Sequence, residues 1–406
     1  MRISHILVFI LVLYIPGRIS YAQVDSIEFP ELTERAQISL ITGEPGRELA
    51  AKFGHSAIRV YDPENGIDLV YNYGTYDFNA PGFYQKFLMG KLNYSLSVYE
   101  FKRMAYAYKY YNQSLYEQVL NLNYDEKVEV YNIININYQP ENRYYLYDFF
   151  LDNCSSRIRD VLENVLGDKL YFDDQHIKKH KTFRQLLDEF LYSAKWGDFG
   201  IDLIIGRPAD VIASSREYMF LPYKLFDAFE YAQIIRDNGK SPLVQITNII
   251  NQSVKIPGKK AIQVSPLLLF WALFLLVLAL SLIFNRNKKV FKYIDIILFL
   301  AVGFTGLLIS FLWFVTEHIP TKDNLNLLWA FPFHLILPYM ILRNIKTQWK
   351  KYYLQFWIIF LILFLASWTI LPQQMNIANI PIILMLLVRF FYNSKNNNSK
   401  DVERRK

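Results

Sequence analysis

One cysteine occurs in the 406 residues, Cys154, within the stretch YLYDFFLDNCSSRIRD at 145–160. A thiol does covalent chemistry as a thiolate, and the first turn of a helix favours that anion through its unpaired N–H groups and its dipole. Downstream, Ile158, Val161, Leu162, Val165 and Leu166 recur at intervals of three and four, which predicts a helix over 153–166 with one buried face. Asp152 or Asn153 supplies the N-cap and Gly167 the stop. Cys154 lies four residues before Ile158, so it shares the buried face and sits in the first turn. A small buried hydrophobe would fit that position too, and only a base nearby distinguishes the two readings.

Three histidines fall between residues 23 and 262. His176 and His180 lie in DDQHIKKHK, a solvated, charged stretch. His55 lies in KFGHSAIRVYD, which predicts a strand over 53–61 with Phe53, His55 and Ala57 on one face. DPENG then makes a turn and IDLVYNYG a second strand, so 53–74 forms a hairpin. The fold-back brings one of residues 72–74 opposite His55, and the turn type leaves open which. Asn72 is the side chain best suited to orient an imidazole as the third member of a Cys–His–Asn set. Tyr73 is an alternative and Asp77 a lesser one, while Asn72 also reads as an ordinary strand-end polar residue. The N–H groups of Cys154 and Ser155 are candidates for an oxyanion hole. Asn153, Ser155 and Arg157 are candidate substrate contacts. Arg159, beside Asp160, reads better as an ion pair, and Arg207 in IIGRPADV likewise as structural.

These residues need a compartment and a scaffold. MRISHILVFILVLYIPGRISYAQ has an early arginine, an apolar run and small residues before Ala22, the pattern of a signal peptide over 1–22. Residues 23–262 have the mixed composition of a globular exported domain. Apolar runs near 264–284, 294–315, 325–342, 353–371 and 377–392 then predict about five membrane spans within 263–392, followed by a cytoplasmic tail over 393–406, disordered through its asparagines. Arg286, Lys288, Lys289 and Lys292 follow the first run, and Arg343, Lys346, Lys350 and Lys351 the third. Those links belong in the cytoplasm and the first domain outside. The net charge of +7 is explained by this topology and gives no reason to expect nucleic acid. The remaining links are mixed or uncharged, and the first of them places Glu317 and His318 at headgroup height as further substrate-contact candidates. No phosphate-binding loop or paired-histidine metal motif is present, so neither metal nor cofactor is expected.

A histidine on an early strand, a polar residue on the next and a cysteine opening a later helix resemble the circularly permuted papain-like fold of lecithin:retinol acyltransferase and its relatives. More closely, FGHSAIRV, YNYGTYDF, YDFFLDNCSSRIRD, GRPAD and TEHIPTKDNLNLLWAFP are similar to the Lnb family of lipoprotein N-acyltransferases, across nearly the whole chain. The resemblance implies an α+β exported domain with a helical extension, followed by a transmembrane bundle in the inner (cytoplasmic) membrane. It implies that Cys154 takes an acyl chain from a phospholipid as a thioester, with His55 as base. The acceptor would be the α-amine of the S-diacylglyceryl cysteine that begins a diacylated lipoprotein. An exported peptidase or amidase acting on cell-wall peptides, and a non-catalytic membrane-bound assembly module, are the competing expectations.

Overall fold

The computed structural model describes residues 29–398 apart from 47, 49–50, 77–80, 92, 176, 238, 255–263 and 284–287. The expected signal peptide at 1–22, Asp77, His176 and the end of the expected tail at 399–406 lie outside the described residues.

The first domain runs β1 (Gln37–Gly43), β2 (His55–Asp62), β3 (Ile67–Thr75), α1 (Phe83–Leu88), β4 (Asn93–Glu100), α2 (Phe101–Tyr110), β5 (Leu115–Leu120), α3 (Tyr124–Tyr138), β6 (Tyr144–Leu146) and α4 (Cys154–Leu166). There follow β7 (Leu170–Tyr171), α5 (Phe183–Leu191), α6 (Lys195–Ile204), α7 (Ser215–Tyr218), α8 (Pro222–Tyr231), β8 (Gln233–Arg236), β9 (Gly239–Pro242) and β10 (Val244–Asn251). Seven strands form an antiparallel sheet in the order β10-β5-β1-β2-β3-β4-β6, and β7–β9 a small second sheet. The domain is therefore α+β.

Alternation along the central strands builds a core on each face of the large sheet. Ile38, Leu40, Ile58, Val60 and Tyr71 face one way, against Ile134 of α3, Ile158 and Leu162 of α4 and Phe229 of α8. Ile41, Ala57 and Val70 face the other way, against Phe101 and Met104 of α2. The expected hairpin is present: Ile58 pairs with Tyr71 and Asp62 with Ile67, although β2 begins at His55 rather than at Phe53. The expected helix at 153–166 is α4, and Asn153, not Asp152, caps it.

The membrane part comprises α9 (Pro266–Ile283), α10 (Lys288–Phe314), α11 (Ile336–Leu342), α12 (Gln348–Ala366) and α13 (Asn379–Asn398). Among the described residues three helices are long and apolar enough to cross a membrane, at 266–283, 291–314 and 348–366. The third expected span is not one straight helix. Its halves, Ile319–Leu328 and Pro332–Leu342, are bent by 57°, and together they give a fourth candidate crossing. The break falls where Pro332 removes a helical donor and restricts the residue before it. Helix α13 carries the fifth run from Asn379 on through Asn393–Asn398, so that stretch of the expected tail is helical. Within the bundle Arg389 of α13 pairs with Asp295 of α10 at 2.5 Å and donates to Ser281 of α9 at 2.8 Å, which satisfies a buried charge and ties three helices together.

The two domains are docked. Gly206 N–H donates to the Pro320 carbonyl at 2.8 Å, Asn324 Nδ2 to Leu203 at 2.9 Å, Asn326 Nδ2 to Asp202 at 3.1 Å and Gln373 Nε2 to Ile205 at 3.2 Å. A Cβ on Gly206 would overlap the Lys322 carbonyl, so only glycine permits this approach. These contacts come from the link after α10 and the link after α12, the two links that the charge pattern assigns to the outside. Both therefore lie on the side of the first domain.

Candidate active site

Cys154 is the first residue of α4, and the cap that starts the helix is also what fixes the thiol. Asn153 Oδ1 accepts from the N–H groups of Ser155 (2.8 Å) and Ser156 (3.1 Å), while Ser156 Oγ accepts from the Asn153 N–H at 2.8 Å. Asn153 Nδ2 donates to the carbonyls of Phe149 (2.8 Å) and Phe220 (3.0 Å), pinning the helix start to two other segments. Ser155 Oγ meets Ser56 Oγ of β2 at 3.1 Å, so the helix start is held against the strand that carries His55.

His55 opens β2, opposite Gly43 of β1. Its Nε2 lies 2.6 Å from Asn72 Oδ1, and Asn72 Nδ2 donates to Tyr99 Oη at 3.2 Å. Because Nδ2 faces Tyr99, Oδ1 must face the ring, and His55 Nε2 is the donor. That leaves Nδ1 for the thiol of Cys154, with which His55 interacts both through charge and as a hydrogen-bond partner. Extending the hairpin register puts Gly74 opposite His55 and Asn72 two residues along, on the same face. Gly74 has φ +102°, a conformation that favours glycine, and a Cβ there would lie 3.8 Å from His55 Cε1 and 3.9 Å from Cys154 Cβ. This glycine is the gap through which strand and helix side chains meet.

The ionisation of the pair follows from its surroundings. Burial pushes the Cys154 thiol up, but the charge of His55, a hydrogen bond with its ring, the Ser56 N–H and the Ser155 hydroxyl together hold it below the ordinary thiol value. Burial pushes His55 down, and the Cys154 charge, its hydrogen bond and Asn72 together raise it above the ordinary value. Each group favours the charged form of the other, so the surroundings bias the pair toward a thiolate–imidazolium couple.

Of the other expected contacts, several are committed elsewhere. The Ser155 N–H already donates to Asn153, so it is not an oxyanion donor. The Cys154 N–H, at the first helical position, has no acceptor within its own helix and keeps that role open. Asn153 is buried at 3% exposure with its amide engaged, so it clamps the helix start, and it also lines the cleft beside the thiol. Arg157 makes a two-pronged pair with Asp152 at 2.6 and 2.7 Å and covers the Tyr145 ring at 3.7 Å, so it is not a free phosphate ligand. Arg159 pairs with Asp160 at 2.6 Å, as expected. Tyr73 is buried, its hydroxyl accepting from Asn137 at 2.9 Å, and does not reach His55 as the alternative partner. His180 is exposed, with Nδ1 3.3 Å from the Ala213 carbonyl. Glu317 and His318 do not join the thiol. The Glu317 N–H donates to Met89 at 2.9 Å, its carboxylate pairs with Lys91 at 2.9 Å, and the His318 ring lies 3.2 Å from the Phe87 carbonyl.

Cys154 and His55 open into a cleft of about 420 Å³ walled by Phe83, Phe87, Tyr94, Tyr147, Phe149 and Phe220. Sequence reasoning found none of this wall. The aromatic clusters GFYQKFL and YLYDFF were its only signal, and with Phe220 the wall is spread over three segments.

Fold and site together define a membrane-anchored α+β domain with a thiol, an imidazole and an amide in line at the base of an apolar cleft. The chain belongs to the Lnb family: residues 32–189 match the Lnb N-terminal periplasmic domain and residues 258–400 the Lnb transmembrane domain. It is thus a membrane protein with a periplasmic part. Neither the curated proteins nor the solved structures include a match to the chain.

Proposed function

We propose that this protein is a lipoprotein N-acyltransferase of the inner membrane, moving an acyl chain from a phospholipid to the α-amine of a diacylated lipoprotein through a thioester on Cys154. The carrying observation is the line Asn72–His55–Cys154 at the foot of an aromatic cleft, in a domain docked on a membrane bundle. Family membership supports the reading, and the strand–strand–helix order of the three residues supports a permuted papain-like architecture.

In the first step the Cys154 thiolate attacks the ester carbonyl carbon. The carbon–oxygen bond to the glycerol breaks, and the leaving alkoxide takes the proton from the His55 imidazolium. The Cys154 N–H at the helix start faces the negative charge that builds on the carbonyl oxygen. In the second step the lipoprotein amine attacks the thioester, its proton passes to neutral His55, and the carbon–sulfur bond breaks. The products are the amide and the restored thiolate–imidazolium pair. Asn72 holds the ring so that one nitrogen serves the thiol throughout.

Export after cleavage near residue 22 would place the catalytic domain, 23–262, in the periplasm beside both lipid substrates. The test compares the N-terminal peptide mass of a model lipoprotein from cells in which this protein, native or Cys154→Ala, is the sole acyltransferase. The triacyl form is expected with the native protein only. Persistence of the triacyl form with Cys154→Ala refutes the mechanism, and a change confined to cell-wall muropeptides assigns the protein to the peptidases.

A further inference from the structure

Helix α1 presents large apolar side chains to the outside: Tyr84 is 77% exposed, Phe87 54% and Leu88 49%. An open cluster of this kind marks a contact surface. It is also continuous with the active site. Phe87 and Phe83 stack at 6.2 Å, Phe83 stacks on Tyr76 at 5.9 Å, Tyr76 meets Tyr94 at 5.2 Å, and Tyr94 stacks on Tyr147 at 4.2 Å. All five rings line the cleft that holds Cys154 and His55. An unbroken aromatic wall therefore leads from the exposed helix to the thiol.

The outer end of that wall is fixed at the membrane. The Glu317 N–H bonds the Met89 carbonyl, His318 contacts the Phe87 carbonyl, and Lys91 pairs with Glu317. Glu317 follows the end of α10, at Phe314, by three residues. The backbone just beyond α1 is thus tied to the point where a membrane-crossing helix leaves the bilayer. Lys86 is exposed on the same short helix.

We propose that α1 is the port through which one acyl chain of an outer-leaflet phospholipid leaves the bilayer and slides along the aromatic wall to Cys154. The proposal rests on the acyltransfer reading of the site and adds the route and side from which the donor enters. A wall of rings offers a hydrocarbon chain a continuous apolar surface. Its anchoring at the membrane surface fixes the bilayer as the source.

The test uses the full chain with Cys154→Ser, which does not turn over, in phosphatidylethanolamine vesicles doped with a phospholipid carrying a photoactivatable diazirine in one acyl chain. After illumination, adducts mapped by mass spectrometry are expected on residues 83–88 and on Tyr94 or Tyr147. Phe87→Asp and Tyr84→Asp, both at exposed positions, are expected to reduce the Tyr94 and Tyr147 adducts at least five-fold while thermal unfolding stays unchanged. Adducts confined to the bundle, or inner adducts undiminished in both variants, overturn the port. The native chain, incubated with the same vesicles and weighed intact, reports acylation of Cys154 separately. Wall adducts without acylation uphold the port and remove the acyltransferase reading. Acylation without wall adducts does the reverse.

Discussion

Asn153 does more than cap α4, and its replacement separates two physical effects. Its amide accepts two helix N–H groups and donates to the carbonyls of Phe149 and Phe220, all at 2.8–3.1 Å and almost wholly buried. Asn153→Ala removes the cap, which costs about 1 kcal/mol. It also strands two buried carbonyls, at roughly 1–3 kcal/mol each. The sum is roughly 3–7 kcal/mol, which for a domain of this size lowers the melting temperature by roughly 10–20 °C. Asn153→Asp keeps both accepted bonds and suits the helix dipole, so a residue that was only a cap would tolerate it. Here, however, the carboxylate faces two carbonyl oxygens and stands beside a thiolate. The variant is expected to lose at least 2 kcal/mol, and its Cys154 to alkylate at higher pH than in the native protein. Thermal unfolding of the detergent-solubilised chain and iodoacetamide rates across pH measure both. An Asn153→Asp protein as stable as the native one, with Asn153→Ala unstable, would falsify the clamp and leave only the cap.

Removing the thiol should move the histidine. In Cys154→Ala the burial that depresses His55 is opposed by Asn72 alone, so its pKa is expected to fall below 6.5, as read by NMR of ring-labelled protein; a value that stays raised contradicts the couple. In the native chain alkylation of Cys154 should persist below pH 9.0 and fall only as pH drops through the lowered thiol value, while acyl transfer declines as pH rises through the raised His55 value. Asn72→Ala deletes a bond to a ring that is charged in the couple, worth about 1.5–3 kcal/mol, so Cys154 acylation should slow by roughly ten- to a hundred-fold. Tyr99→Phe should slow it less, and an equal loss would mean that Tyr99 acts otherwise than by orienting the amide. Asp188, with Asp198 and Asp202 gathered within 4.8 Å, is pushed up to about 7 by burial first and then by those two charges. A carboxyl raised in the folded state is stabilising when protonated, so stability falls as pH rises from about 4 through 7. Asp188→Asn should abolish that fall and be more stable than native at pH 8 by roughly 1–3 kcal/mol, after allowance for partial exposure. A variant less stable at pH 8 excludes the repulsion.

How much of this was legible in the sequence depended on how local the cause was. Helix α4 could be read because its apolar spacing, cap and stop lie within fifteen residues, and β2–β3 because a short polar turn separates two alternating runs. The pairing of Cys154 with His55 joins segments about a hundred residues apart, and only the residue chemistry pointed to it. Asn72 ranks first by its chemistry, but its place beside the ring depends on hairpin register and on Tyr99, which no local pattern reports. Arg157 misled for the opposite reason. A lone arginine beside a nucleophile looks like an anion ligand until Asp152, five residues back, is seen to hold both its prongs. Pro332 marks the break of the third span in the sequence, whereas the aromatic wall leaves no such mark, since its rings come from three distant segments.

The docking of the two domains bears on why site and bundle share one chain. A flexible tether would suffice to keep an enzyme near a membrane, and a tether needs no matched surfaces. Here the strip at 202–210 is bound through backbone carbonyls and side-chain amides, whose directions fix orientation far better than apolar contact does. Behind it Arg184, 1% exposed, pairs with Asp202 at 2.6 Å and Asp210 at 2.9 Å, which braces both ends of the strip. A second attachment, through Glu317 and His318, holds the segment around α1. Two attachments far apart in sequence remove the rocking that one would leave. The position of the cleft relative to the bundle is thereby set by the fold, as the proposed attack of the thiol on a lipid ester requires.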